Sequence, residues 1–196
     1  MGTIKTTNIE PIADNGTVTL GSSGDTFTIP SGATLDLSNA TQTGVGGVNT
    51  PAFMAYLSST QTISDATFTK IQFDTEVLDT DNCYDNSTNY RFTPTTAGKY
   101  FVHCYTASLA GGNSDNLRNY QALYKNGSQA QLQNLDTRDG GGFRILSINS
   151  TYVIDMNGST DYLEIFYYAD SNSASSISVT GGSTEHSFFS AYKIIE

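Results

Sequence analysis

Tryptophan is absent from this 196-residue chain, and cations are scarce: 9 Lys and Arg stand against 19 Asp and Glu, a formal net charge of −10. From Thr6 to Thr69 there is no Lys or Arg at all. A nucleic-acid binder needs a basic footprint to displace counterions from phosphates, so that class is excluded. An anionic membrane surface repels the chain for the same reason. No apolar run approaches the roughly 20 residues of a membrane helix, and no membrane insertion is expected. The opening MGTIKTTNIE lacks the apolar core of a secretory signal. Its Met1-Gly2 with Thr6 fits the loose myristoylation pattern, which recurs by chance.

Cysteine is nearly absent too. Cys83 and Cys104 lack C-x-x-C spacing and cannot hold zinc without other ligands. Two readings stay open, a pair of free, partly buried thiols or an internal disulfide, because sequence does not report their separation. Only His103 and His186 are available as imidazole bases. His103 alternates inside a strand pattern and His186 precedes the last one, with no G-x-S-x-G elbow anywhere. Hydrolytic catalysis needs a base with an oriented partner, so no enzyme is expected. Paired carboxylates for glycoside hydrolysis exist in any acidic β-rich chain and carry no weight.

Charged residues make up 14% of the chain, and Gly, Ser, Thr and Asn fill the gap. With 12 Tyr and 10 Phe, the chain is too aromatic for disorder and suits short strands joined by many turns. Its length allows a core without disulfides. No stretch repeats apolar residues at i, i+3, i+4, i+7, whereas period-two alternation bounded by Gly, Asn, Asp and Pro recurs. The fold class is all-β.

Residues 17–22, 26–31 and 34–39 (TVTLGS, TFTIPS, TLDLSN) share one pattern of two alternating apolar residues and a turn. A unit with two apolar side chains closes no core alone and must stack on its neighbours or on copies from other chains. The competing reading is a flexible linker. Residues 43–50 (TGVGGVNT) read as a hinge. Their G-x-G follows no buried strand, opens no helix and is no nucleotide site. The expected organisation is an anchor and β-rich stem over 1–43, a Gly-rich hinge over 44–50 and a head over 51–196.

In the head, Phe53, Ala55 and Leu57 share a face, as do Thr69, Ile71 and Phe73. The run from Gly98 to Tyr105 is bulky on both faces, which predicts a strand covered on each side. Asn126-Gly127 and Asn157-Gly158 are two-residue hairpin signals. Eight to ten strands in this length make a sandwich. Connections over 111–119, 136–142 and 170–184 are long and polar, and recognition belongs there because loops vary while the sandwich holds them. Asn113, Asp115, Arg118, Asp136, Arg138 and Asp139 are the candidate receptor contacts, with Arg118, Arg138 and Arg144 standing out as rare cations. Asp74, Glu76, Asp79, Asp81 and Asp85 crowd into twelve residues. Calcium prefers such clusters, but the spacing fits no EF-hand loop, and a solvated acidic connection is the plainer reading; no cofactor is expected. N-x-S/T sequences at Asn15, Asn39, Asn86, Asn126, Asn149 and Asn157 matter only in a secreted eukaryotic protein.

The order of these motifs resembles a known family. Tyr84-Asp85, Thr88, Arg91-Phe92-Thr93-Pro94 and Ala97-Gly98-Lys99-Tyr100-Phe101 are similar to the central signature of complement-type and tumour-necrosis-factor-like globular heads. Phe53 to Leu57, Leu123 to Gly127, Leu163 to Phe166 and Ser187 to Tyr192 follow in the same order, and the resemblance covers about 51–196. It implies a ten-stranded jelly roll that trimerises through aromatic faces. Asn157-Gly158-Ser159 departs from the family's usual Gly-Asp at that turn, and the collagen-like stalk of animal members is missing. Residues 16–43 resemble the Thr- and Ser-rich leader of structural proteins from tailed bacteriophages. Together these imply a virion appendage or tail fibre for host attachment. Its partners would be its own copies, other virion proteins held by the stem, and a host-surface glycan or protein. A capsid decoration protein fixed by its stem and a secreted complement-like binding module are the alternatives.

Overall fold

The computed structural model describes residues 17–36, 49–111, 116–172, 177–183 and 186–194. The chain divides into two units, residues 1–45 and 46–196. The N-terminal pattern, the rest of the third repeat and most of the hinge fall outside the described residues, as do Asn113 and Asp115.

In the first unit, residues 17–36 form no strand within the chain, and every one of them is exposed. Two turns punctuate the stretch. Asp25 N–H donates to Ser22 O and Ala33 N–H to Pro30 O, both at 3.0 Å, while the Asp25 carboxylate accepts Ser22 N–H at 2.7 Å. The turns fall between the apolar pairs Val18/Leu20 and Phe27/Ile29 and before Leu35, where the repeat requires them. All five of these apolar side chains stand in solvent, Phe27 at 64% exposure.

The second unit is all-β, two sheets face to face. Its strands are β1 (Ala52–Tyr56), β2 (Gln61–Ile63), β3 (Thr69–Lys70), β4 (Thr75–Asp79), β5 (Tyr84–Asp85), β6 (Arg91–Phe92), β7 (Ala97–Leu109), β8 (Asn116–Lys125), β9 (Ser128–Asp136), β10 (Ile145–Asn157), β11 (Leu163–Ser171), β12 (Ile177–Val179) and β13 (Phe188–Lys193). A 3-10 turn, Arg138–Gly140, follows β9. Sheet A runs β2-β12-β7-β13-β1-β4, with β10 on the other side of β7; sheet B runs β5-β6-β11-β8-β9, with β3 also on β11. Among the described residues thirteen strands stand where ten were expected, because β2, β3, β5, β6 and β12 are pieces of two or three residues.

The core between the sheets is aromatic at its centre. Phe53 stacks on Tyr84 and Phe92 with ring centroids 4.6 and 4.5 Å away and meets the edge of Phe189 at 4.8 Å. Leu163, Ile165 and Tyr167 of β11 face Val102 and Cys104 of β7 in the same fully buried cluster. A polar layer adjoins it. Asn119 Nδ2 donates to Ser108 Oγ at 2.6 Å and Tyr167 Oη at 2.7 Å, and Gln121 Nε2 donates to Thr106 Oγ1 at 2.8 Å. Ser150 Oγ donates to Gln121 Oε1, tying β10 to β8 across the sandwich. Pairing makes the burial of these donors tolerable, while Asn119 Oδ1 accepts no hydrogen bond from the described residues.

The two Asn-Gly signals part company. Asn126 (φ 53°) and Gly127 (φ 75°) join β8 to β9 as the positive-φ hairpin expected. Asn157-Gly158 forms no hairpin, because β10 pairs in sheet A and β11 in sheet B. Asn157 Oδ1 instead accepts the N–H groups of Ser159, Thr160 and Asp161 at 3.0 Å each, capping a crossover between sheets. Gly158 is needed there, because a Cβ would lie 2.2 Å from the Ala97 nitrogen. The polar connections are also shorter than expected. Asn116 to Asn119 belong to β8, and Asp170, Ser171 and Ile177–Val179 lie in strands. Cys83 and Cys104 are free and buried, and burial pushes both thiols up.

Candidate functional site: two aromatic outer faces

Strand β7 was expected to be covered on both faces. Tyr100, Val102 and Cys104 are indeed buried, but Phe101, His103 and Tyr105 on the other face stay half-exposed. The register builds that face into rows across four strands. Tyr56, Phe188, Tyr105 and Asn149 form one; Met54, Ser190, His103 and Thr151 the next; Ala52, Tyr192, Phe101 and Val153 the third. The rings touch one another: Phe101–Tyr192 at 5.3 Å, Tyr105–Phe188 at 6.0 Å and His103 edge-on to Phe188 at 4.9 Å. Leu78, Ile145, Val153 and Tyr192 are exposed by 40–58%. Exposed rings and aliphatics gathered on one sheet face are what an interaction site offers.

His103 therefore serves this face. Its Nε2 meets Asn149 Oδ1 of the neighbouring row at 2.8 Å. His186 is exposed, beside Ser183 in a turn.

The outer face of sheet B is built differently. In its rows Asp170, Arg118 and Asp136 lie side by side, then Tyr168, Tyr120 and Asn134, then Lys70, Phe166, Ala122 and Leu132, then Glu164 and Tyr124. Phe68 packs on Tyr168 and Tyr120 at 5.2 and 6.1 Å, Tyr168 on Tyr120 at 5.1 Å, and Tyr124 on Phe166 at 4.2 Å. Ala122 between these groups is small enough to be roofed completely. Cations lie over the rings: Arg118 over Tyr120 and Tyr168 at 5.5 and 5.6 Å, Lys70 over Phe166 at 5.9 Å, and Arg91 over Tyr162 at 4.4 Å.

Each of two of these cations has a carboxylate of its own. Lys70 Nζ is 2.5 Å from Glu164 Oε1, and Arg118 Nη2 lies 3.1 Å from Asp170 Oδ2 while donating to Tyr168 Oη at 3.0 Å. Arg138 grips Asp136, holding that carboxyl below its usual range. The Arg138–Asp136 pair is exposed and adds little stability, whereas Glu164 beside Lys70 is buried and needs its partner.

Of the six candidate contacts, Arg118, Asp136, Arg138 and Asp139 are therefore gathered at one end of sheet B. Sequence reasoning missed Phe68, Lys70, Tyr120, Tyr124, Phe166 and Tyr168. The period-two pairs Tyr120/Tyr124 and Phe166/Tyr168 were the available signal.

The acidic run does not form one cluster. Asp74 accepts Ser58 N–H and Oγ–H, and Asp79 accepts Cys83 N–H and Tyr84 N–H. Asp85 takes N–H groups from Ser87, Thr88 and Asn89, which hold its carboxyl down at about 2. These oxygens are spent fixing loops. Among the described residues no three His, Cys, Asp or Glu side chains come together to hold a metal.

No family profile and no curated protein sequence matches the chain. Solved structures do. The Eiger TNF of S. frugiperda superposes with a TM-score of 0.52 at 12% identity, over 74% of this chain and 92% of that one. Murine APRIL, solved at pH 8.5, gives 0.51 at 12% identity, over 73% and 99%. The second unit has a TNF-like jelly-roll fold.

Proposed function

We propose that this chain is a non-enzymatic structural protein that works as a homotrimer, with sheet A turned toward the three-fold axis and sheet B outward. The observation that carries this is the uncovered aromatic face of β1, β13, β7 and β10. A second copy is the occupant that fits it. The rows carry rings, aliphatics, Ser, Thr and Asn, so neither side of a self-contact buries an unpaired charge.

The place of action we propose is the virion, as an appendage or tail fibre that contributes to host attachment. This rests on the resemblance of residues 16–43 to leaders of phage structural proteins. Antibody against the head should label purified particles, and replacing residues 136–142 should abolish adsorption to host cells while leaving particles intact. Normal adsorption by such particles, with fragility when the protein is deleted, would replace attachment with decoration.

A second reading, a decoration protein gripped through its stem, is favoured by one observation: Val18, Leu20, Phe27, Ile29 and Leu35 are all uncovered within the chain. In either reading those side chains meet other chains. Phe27→Ser should then make residues 12–40 protease-sensitive without moving the melting temperature of the head. Unchanged protease resistance would make the segment a linker.

A further inference from the structure

We infer that the outer face of sheet B is a binding site for an uncharged polysaccharide. The inference rests on the reading of the head as a surface-binding module, and it supplies the ligand class.

Three features converge. First, the rings are held in line. The rows from Glu164/Tyr124 to Asp170/Arg118 span seven residues of β11, about 20 Å of strand, long enough to seat a chain-like ligand. Aromatic rings with an electron-rich face attract the C–H edges of sugar rings, and Tyr adds a hydroxyl at its tip. Phe68, Tyr120, Tyr124, Phe166 and Tyr168 are all half-buried, each fixed by a neighbouring ring yet reaching solvent.

Second, the polar groups at one end of the rings are planar and two-pronged. The Arg118 guanidinium, the Asp170 and Asp136 carboxylates and the Asn134 amide adjoin Tyr120 and Tyr168 in register. Such groups accept and donate in pairs, as adjacent hydroxyls require.

Third, the face is electrically balanced on a chain of charge −10. Lys70 is matched by Glu164, Arg118 by Asp170 and Arg138 by Asp136. A polyanion would have to displace these carboxylates, whereas a neutral polymer leaves every pair intact and only adds hydrogen bonds. A peptide strand is not favoured, because strand addition needs a free sheet edge and this is a sheet face.

The test uses the full chain and tyrosine fluorescence, which no tryptophan obscures. The probes are dextran, laminarin, mannan and arabinogalactan as neutral polymers, alginate as a polyuronate, and casein as a polypeptide. The expected result is saturable binding of at least one neutral polymer, insensitive to salt. Tyr168→Ala should weaken it tenfold or more, and Arg118→Lys, which keeps the charge and loses the fork, several-fold. Mass by light scattering and melting temperature are measured on the same samples, and Tyr168→Phe, which keeps the ring, should retain most of the binding. Binding to alginate alone, to casein alone or to nothing overturns the inference, as does neutral-polymer binding that survives both Tyr168→Ala and Arg118→Lys. A trimer that binds no neutral polymer sinks the ligand and leaves the assembly standing; a monomer that binds one does the reverse.

Discussion

The two outer faces of the sandwich carry similar numbers of aromatic rings and treat them differently. On sheet A, Tyr105, Phe188, Phe101 and Tyr192 are bordered by Met54, Val153, Ser190 and Thr151, with no ion pair across the central rows. On sheet B, Tyr120, Tyr168 and Phe166 lie under Arg118 and Lys70, which are bound in turn to Asp170 and Glu164. Aromatic content alone therefore says little about use. A face whose central rows carry no charge, with the Lys99–Asp155 pair only at its end, can be dried against another copy at small desolvation cost. A face of rings and neutralised charges keeps its hydrogen-bonding groups for something wet.

The comparison breaks most severely from beneath. Phe53 supports both sheets through Tyr84, Phe92 and Phe189. Phe53→Ala should cost about 3–5 kcal/mol and lower the melting temperature by about 10 °C, seen by calorimetry. Both faces should fail together, because neither is held without this layer. Selective loss of one function would show that the sheets are supported independently.

Acid and alkali sharpen the contrast more gently. Asp85 is held at about 2 by backbone N–H groups, against an ordinary value of about 3.9 unfolded. Its contribution to stability is present above about pH 4 and lost as pH falls toward 2. Asp161, lowered by Lys125 and Asn126, acts in the same direction. Asp85 lies in β5 of sheet B, Asp161 joins Lys125 of β8 to Asn157 of β10, and Asp74, lowered by hydrogen bonds from Ser58 that outweigh its burial, leads into β4 of sheet A. Acid should therefore weaken both sheets, so that binding and assembled mass fall together. At the other end, burial raises Tyr100 and Tyr167 to about 12. Their contribution is present below about pH 10 and lost as pH rises toward 12. One belongs to each sheet, so alkaline loss should strike both faces at once. Denaturant titrations across these two windows check both directions.

Much of this was legible in the sequence, and the exceptions have physical causes. Period-two alternation in Phe53-Ala55-Leu57 and the Asn126-Gly127 turn are local properties, and both appear as read. The bulk on both faces of β7 was visible, but not that the chain leaves one face open: coverage depends on what lies opposite, not on the strand. Asn157-Gly158 misled because its partners, Ser159 to Asp161 and Ala97, make it a crossover cap instead of a hairpin. Phe68 and Lys70 had no local signal, since their place beside Tyr168 and Phe166 is set by β3 pairing with β11 almost a hundred residues away. Arg118 was singled out as a rare cation; the rings beneath it became apparent only from the β8–β11 register.

The most direct test of the account is the molar mass of the full chain at micromolar concentration by light scattering, beside that of Val153→Asp. Val153 is 56% exposed at the end of the Phe101–Tyr192 row, so a carboxylate there enters the proposed contact without disturbing the core. The account predicts three times 21.0 kDa for the natural chain and a shift toward 21.0 kDa for the variant, with an unchanged circular dichroism spectrum. A natural chain that runs as a clean monomer would contradict it, as would a variant that assembles undisturbed.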